Sequence, residues 1–278
     1  MSRAGKGVSR LGVGLLLVVA VVVVLGPWLA PQSPTELQTA PFEPPSGEHL
    51  LGTDVLGRDV LARMLHGGTS VVVLGIAATV MGLIVGTALG LFTGWRRGFA
   101  GGTVVWLTDV LLAFPALLLL LLLVAALGPG PTSVVLAVTI FHIPIVTRIV
   151  RAATLEVVGR GFIEAAMLRR ERWSFVLARE VLPNITRTVV ADAGTRLTLS
   201  IIVIAGANYL GLGLGPPTAD WGLMVSENRL GLQTQPWATL APGAAIALLT
   251  IAVNLVADSF GGADAVLPGT VVVDTAGS

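Results

Sequence analysis

The sequence predicts an all-α membrane protein with six transmembrane helices, and three observations support this fold class. Hydrophobic residues make up 54% of the 278 residues and charged residues only 12%, whereas an ordinary soluble domain is about 25% charged. Apolar runs long enough to cross about 30 Å of hydrocarbon recur along the chain. Basic residues collect in alternate connecting segments, as the positive-inside rule requires.

The N-terminal region divides into three predicted parts. Residues 1–10 form a short polar arm, and the apolar run 11–30 is the first transmembrane helix. We interpret this run as retained rather than as a cleaved signal peptide, because a Pro-rich stretch without a small-residue cleavage pattern follows it. Residues 31–67 form an extracytoplasmic segment, in which a Pro-rich extended linker leads into an interfacial helix over 53–66 that ends before Gly67.

Four charged residues of that interfacial helix are expected to make local ion pairs rather than to bind a ligand. They are Asp54, Arg58, Asp59 and Arg63.

Residues 68–260 are predicted to form the core, with five further transmembrane helices, and residues 261–278 a flexible tail. The spans are expected at about 69–95, 104–127, 134–150, 189–212 and 240–257. In the first of these, small residues at three- and four-residue intervals permit close helix–helix approach in lipid. They are Gly75, Gly82, Gly86 and Gly90.

Two aspartates and one histidine inside predicted spans are candidate functional residues, because ionisable groups are costly there and often functional. Asp109 lies near one end of its span, so we expect a structural role at the membrane interface more than a proton relay. His142 has no second ligand at metal-binding spacing, so hydrogen-bonded packing is expected. Asp192 is expected near the inner boundary of the fifth span.

Residues 160–184, called here the docking segment, form the longest charged stretch of the chain. Two amphipathic helical pieces are predicted, 161–168 and 173–182, and Pro183 is expected to end the second. Ala165 and Ala166, beside Glu164, give the first piece a low-profile patch that another backbone could approach closely. The surrounding arginines are Arg160, Arg169, Arg170, Arg172 and Arg179. The pattern predicts an exposed segment that binds a partner protein.

The distribution of basic residues predicts the orientation. With six spans and a cytoplasmic N-terminus, three basic residues lie outside, Arg58, Arg63 and Arg229, and Arg196 lies within a span. The other thirteen lie inside: Arg3, Lys6, Arg10, Arg96, Arg97, Arg148, Arg151, Arg160, Arg169, Arg170, Arg172, Arg179 and Arg187. The docking segment is therefore predicted to be cytoplasmic.

Four motifs carry a resemblance to a known family. Glu164-Ala165-Ala166 followed by Val181-Leu182-Pro183 is similar to the EAA motif of ABC-importer permeases. The other three are Leu51-Gly52-Thr53-Asp54 with Gly57-Arg58-Asp59, Asp109 to Pro115, and Leu210 to Gly213 before Pro216-Pro217-Thr218 and Trp221-Gly222. Together they resemble the second permease subunit of bacterial dipeptide, oligopeptide and nickel ABC importers over about residues 51–260.

The resemblance implies a type I ABC-importer permease fold, with cytoplasmic coupling helices between spans four and five, in the bacterial inner membrane. It implies a homologous second permease as heterodimer partner, cytoplasmic ATPase subunits that bind ATP and Mg²⁺, and an extracytoplasmic solute-binding protein. The solute would be peptide-like, or else nickel or another small solute. The residues expected to couple to the ATPase are Gly161, Glu164, Ala165, Ala166, Arg169, Arg170, Leu182 and Pro183.

One position departs from the family pattern. The family usually has glycine six residues after the motif glutamate, and Arg170 occupies that position here. Because only glycine adopts positive φ freely, we expect either an ordinary backbone conformation at Arg170 or a break shifted to a neighbouring residue.

Several functions lack their residues in this sequence. It has no cysteine, no HExxH or GxSxG motif and no P-loop, since the sole lysine is Lys6, so no catalytic residue, metal site or cofactor of its own is predicted. The net charge of +1 gives no sign of nucleic-acid binding. The alternatives to an ABC permease are an ion-coupled secondary transporter using Asp109 or Asp192, and a non-transporting membrane scaffold.

Overall fold

The computed structural model describes residues 3–96 and 98–261, with side chains over 11–96 and 98–259. Of the predicted tail 261–278, all but the first residue lies outside the described residues. The helices are α1 Arg3–Leu29, α2 Val60–Trp95, α3 Phe99–Leu112, α4 Ala116–Leu127, α5 Pro131–Val158, α6 Gly161–Leu168, α7 Trp173–Val176, α8 Leu182–Tyr209, α9 Trp221–Asn228 and α10 Trp237–Gly261. A π-helical turn, Leu177–Val181, joins α7 to α8.

Among the residues that the structure describes, five helical stretches are long and apolar enough to cross a membrane, and the pair α3 and α4 makes a sixth span if counted as one. The all-α membrane fold is therefore confirmed. The third predicted span is not one straight helix, because α3 and α4 meet at an angle of 93°. Pro115 lies at the break, where it cannot donate a backbone hydrogen bond and disfavours helical conformation in the residue before it.

The N-terminal boundaries differ from those predicted. α1 begins at Arg3, so most of the predicted polar arm is helical. The predicted interfacial helix 53–66 does not form as a separate element, since α2 begins at Val60 and runs unbroken past Gly67. Asp59 caps it by accepting a hydrogen bond from the amide of Ala62.

The segment 31–59 is folded rather than an extended linker. The Thr53 hydroxyl donates to the carbonyl of Ala40 and accepts from the amide of Glu43, both at 2.8 Å. Gly57 adopts φ +75°, and a Cβ there would come within 2.0 Å of the Thr39 carbonyl oxygen. These local bonds bring the segment against the start of α2 and against α9.

Glycines set the packing of the two central helices, α2 and α5. Cβ atoms built at Gly82, Gly86 and Gly90 would lie 2.6–2.8 Å from side-chain atoms of α5. The close approach predicted from the glycine spacing is therefore observed at these three positions, whereas Gly75 faces Ile201 of α8 instead.

Candidate functional site

The first helix of the docking segment, α6, is anchored by two buried residues. Ile163 is 1% exposed and Ala166 is fully buried, and both pack in a core cluster with Val157 and Val176. The prediction that Ala166 belongs to an exposed patch is therefore wrong. Successive side chains of an α-helix are about 100° apart, so those of Ala165 and Ala166 point in different directions. Of the two, only Ala165 is exposed.

The outer face of the docking segment is apolar. Large hydrophobic side chains lie exposed here although the core is adjacent, and Leu168 is the most exposed of them at 80%. The others are Phe162, Met167, Trp173 and Phe175. Gly161 and Glu164 are exposed among them. Several large apolar side chains exposed close together in the chain, with charged residues among them, are typical of a protein-binding site.

Arginines form that rim. Arg169 pairs with Glu171 at 2.8 Å, and the Arg179 guanidinium lies 5.5 Å from the centre of the Phe175 ring. Arg160 pairs with Glu156 of α5 at 2.7 Å. These contacts neutralise only part of the positive charge, so the rim favours an acidic partner surface.

Arg170 adopts φ +56°, so the expectation of an ordinary backbone conformation is wrong. The Arg170 amide donates to the carbonyl of Met167 at 2.9 Å, and the Glu171 amide donates to that of Ala166 at 3.4 Å. This pair of bonds is the Schellman motif, which ends a helix and places one residue in the left-handed region. The turn therefore keeps the conformation that glycine favours, with arginine in its place.

Pro183 does not end the second helical piece, contrary to the prediction. The π-helical turn is followed directly by α8, and Pro183 lies in the first turn of that helix. Proline is tolerated there because the backbone N–H that it lacks would have no partner within the helix. The amide of Leu182 donates to the carbonyl of Leu177, an i to i−5 bond. Residues 173–209 therefore form one continuous helical stretch, in which Leu182 is half-buried and Pro183 is exposed.

The three polar residues singled out within the spans each have a partner. Arg148 donates to Asp109 at 2.8 Å, and Arg196 contacts both oxygens of Asp192. His142 lies 2.8 Å from the Ser200 hydroxyl, which is itself 2.8 Å from that of Thr79. The predicted packing role of His142 is confirmed, because it links three spans. Asp109 lies 50% exposed beside Arg148, a partner that sequence spacing could not identify.

A buried ionic cluster connects the segment 31–59 to α9. Asp54 accepts from Arg58 at 2.7 Å and from Arg63 at 2.5 Å, and Glu227 accepts from the same two arginines at 3.0 and 2.7 Å. The expectation of ion pairs is confirmed. They are not surface pairs of an interfacial helix, however, because Asp54 and Arg63 are fully buried.

Asp220 caps the N-terminus of α9, at the opposite end of that helix from Glu227. Its side chain accepts from the amides of Gly222 and Leu223, and the Ser70 hydroxyl donates to it at 2.5 Å. Burial raises the pKa of the Asp220 carboxyl, and the hydrogen bonds oppose that shift only in part. Asp220 is not among the site residues predicted from the sequence, although an aspartate directly before a helix is a recognisable capping signal.

Within residues 3–96 and 98–261, no three His, Cys, Asp or Glu side chains lie together as a possible metal site. The docking segment likewise combines apolar and cationic groups without an acid, base and nucleophile set. Its arrangement suits protein binding rather than catalysis.

These features define a class: a polytopic α-helical membrane protein with exposed apolar side chains and arginines on two short helices, the second of which continues into a spanning helix. The chain belongs to the family described as binding-protein-dependent transport system inner membrane component, which matches residues 86–263. It is thus a transport permease component.

Relatives match along most of their length. The di/tripeptide transport system permease protein DppC of Pseudomonas aeruginosa is 35% identical, over 89% of this chain and 84% of the relative. The glutathione transport system permease protein GsiD of Pectobacterium atrosepticum is 39% identical, over 78% of this chain and 72% of the relative. The dipeptide permease DppC of Haemophilus influenzae is 32% identical, over 90% and 87%.

A solved structure shares the fold. A chain of the inward-facing MetNI methionine ABC transporter superimposes with a TM-score of 0.55 at 16% identity, covering 68% of this chain and 90% of that one. The predicted ABC-importer permease fold is therefore confirmed, and so is a multi-pass location in the inner membrane.

Proposed function

We propose that this chain is the translocation subunit of an ATP-driven importer for peptide-like solutes and forms half of the pore. The observation that carries the proposal is the exposed apolar face of the docking segment, rimmed by arginine and continuous through the π-helical turn with α8. The peptide-like substrate is supported by the names of relatives at 32–39% identity.

In this proposal a cytoplasmic ATPase subunit binds the docking segment. That partner supplies the site for ATP and Mg²⁺, because this sequence has no P-loop. The partner would contact Glu164, Ala165 and Leu168 on the outer face of α6, while Ile163 and Ala166 fix α6 to the core. Displacement of α6 would move α7, and the motion of α7 would pass along the continuous helical stretch 173–209 into the membrane.

Two further partners complete the proposed complex. A homologous permease subunit would supply the other half of the pore, and an extracytoplasmic solute-binding protein would deliver the solute. The N-terminus would be cytoplasmic, supported by the excess of basic residues on that side. Expressed without its sister permease, the chain should give no ATP-dependent uptake into vesicles.

The pairing of the acids favours ATP coupling over ion coupling. A carboxylate that carries a coupling ion needs free oxygens to bind it, and a guanidinium paired with that carboxylate competes for them. Asp109 and Asp192 both have such a partner.

The decisive variant is Ala165→Trp. A large side chain on the outer face of α6 should hold the ATPase away and abolish uptake together with solute-stimulated ATP hydrolysis. Ala165→Ser is the matched control, since it keeps the small volume and should retain both activities. The sister permease should co-purify normally with each variant. Full stimulated hydrolysis and uptake by Ala165→Trp would show that the docking segment is not the coupling element.

Orientation is tested separately. A reporter enzyme that is active only outside the cytoplasm should be active when fused after Glu227 and silent when fused after Arg172. The reverse pattern would place the docking segment outside and remove the basis for ATPase binding.

A further inference from the structure

A polar cluster between α3 and α5 has no role in the function described so far. Its members are Thr108, Asp109, Thr147, Arg148 and Arg151, and with Val105 they line a cavity of about 310 Å³. This volume is at the lower end of the range of ligand-binding cavities, about 300–1,000 Å³. The cluster shares no residue with the docking segment or with the ionic cluster of Asp54 and Glu227.

The exposure of the Arg148–Asp109 ion pair indicates which surroundings its surface can have in the membrane. The Arg148 side chain is 68% exposed and that of Asp109 is 50% exposed, although both residues belong to membrane-spanning elements. Along α5, Arg148 lies between Val146 and Val150, which pack on Gly86 and Gly90 of α2. Charged groups in spanning helices face protein or a water-filled cavity rather than lipid. This surface therefore borders an aqueous space or another protein.

The charges of the cluster favour an anionic ligand. The lining contains two guanidinium groups and one carboxylate, so it has one excess positive charge. The Arg151 Nε atom is buried and has no hydrogen-bond partner among the described residues. Arg148 uses one of its nitrogens for Asp109, which leaves further donors available. Guanidinium groups bind carboxylates through charge-assisted, often bidentate hydrogen bonds.

We propose that this cluster lines the translocation pathway and binds the carboxylate group of the transported solute, with Arg151 and Arg148 as its donors. The inference rests on the proposed function, because a peptide-like solute carries a free carboxylate at neutral pH. Asp109 then acts as a positioning residue, which fixes the Arg148 guanidinium through their ion pair. A contact with an acidic residue of the sister permease is the competing occupant of this surface.

The first test asks whether the cavity is aqueous in the assembled complex. The chain has no native cysteine, so a thiol label on its gel band reports only an introduced residue. Val105→Cys lies in the cavity lining, whereas Leu107→Cys lies on the opposite side of α3 at nearly the same depth. In nanodiscs holding the full transporter, a charged thiol reagent should label Val105→Cys much faster. Equal labelling would contradict a pathway position.

The second test asks for the ligand chemistry. Dialanine should slow the labelling of Val105→Cys, and its C-terminal amide should not, because the amide lacks the anionic group. Adding Arg151→Gln should raise the dialanine concentration needed for protection by about tenfold or more, the effect of losing one charge-assisted hydrogen bond. Adding Arg151→Lys, which keeps the charge, should restore part of the protection.

The outcomes separate this inference from the proposed function. ATP-dependent dipeptide uptake with equal protection by dialanine and its amide would contradict the carboxylate site alone. An unlabelled Val105→Cys, combined with loss of the co-purifying sister permease in Arg151→Gln, would assign the cluster to the subunit interface and overturn the proposal. Absence of uptake by the unmodified complex would contradict the proposed function itself.

Discussion

Arg170 shows how one residue can depart from a family pattern without changing the local structure. The Schellman turn after α6 requires positive φ at this position, and arginine adopts it at φ +56°. At the end of α8 the same two bonds form around Gly211, at φ +73°. The hydrogen bonds of the turn, and not the side chain, therefore determine the conformation.

Replacing Arg170 with glycine should stabilise the protein. An L-residue in the left-handed region costs about 1 kcal/mol or more relative to glycine, so Arg170→Gly should raise the apparent unfolding midpoint of the purified complex. Arg170→Ala removes the same charge but keeps the Cβ atom, so it should give no such gain. Equal midpoints for the two variants would mean that the turn carries no strain.

Asp220 should make stability depend on pH. Its raised pKa means that the folded state binds the proton more tightly than the unfolded chain does. Its contribution is therefore complete below the ordinary carboxyl pKa of 3.8 and is lost as pH rises through the folded pKa.

Asp220→Asn keeps an oxygen acceptor for the α9 amides and carries no charge at any pH. Its melting temperature should therefore rise relative to that of the unmodified protein as pH increases from about 4. Asp220→Ala, which lacks the cap, should be destabilised by about 1 kcal/mol even at low pH. A difference in melting temperature between Asp220→Asn and the unmodified protein that stays constant with pH would contradict a raised pKa.

The close contact between helices α2 and α5 depends on glycines, which have no side chain. A Cβ at Gly86 would lie 2.6 Å from the Cβ of Val146 and 3.1 Å from the Ile143 carbonyl oxygen. Because backbone atoms are involved, the helices must separate to admit a methyl group.

Gly86→Ala should therefore destabilise the protein by about 1–3 kcal/mol, the usual cost of overpacking. Gly206→Ala is the control, since a Cβ there meets no atom within 4 Å, and alanine is the better helix former. Thermal unfolding of the two purified variants provides the comparison. A midpoint for Gly86→Ala at or above that of Gly206→Ala would refute the packing argument.

At the scale of the whole molecule, residues distant in sequence complete one ionic cluster. Arg63 contacts both Asp54, nine positions before it, and Glu227, 164 positions after it. The charges of two arginines and two carboxylates balance in this cluster, so removing one arginine leaves one buried negative charge uncompensated.

Arg63→Met should destabilise the protein by about 3–5 kcal/mol, the cost of breaking a buried ion pair from one side. Arg229→Met is the control, because Arg229 is exposed beside the same helix and should have an effect below about 0.5 kcal/mol. The measurement is the yield and melting temperature of each complex. Similar values for both variants would mean that the cluster does not stabilise this region.

The features that the sequence predicted correctly are those that follow from composition and local pattern. The spans were recognised because a bilayer demands about 20 apolar residues per helix. The glycine spacing on α2 indicated close packing because side chains repeat with the helical period. The helix ends predicted at Gly67 and at Pro183 were wrong, because in the folded protein α2 runs through the first position and α8 through the second.

Three features could be read from the sequence without the structure, because they depend only on properties of the chain. Hydrophobicity indicates the all-α membrane fold, charge distribution the position of the docking segment, and motif order the family. Tertiary structure alone decided which docking residues are exposed and which partners the charges find. Ala166 is buried while Ala165 is exposed, and Asp109 pairs with Arg148. Such contacts join residues far apart in sequence, and their identity depends on how the helices pack in three dimensions.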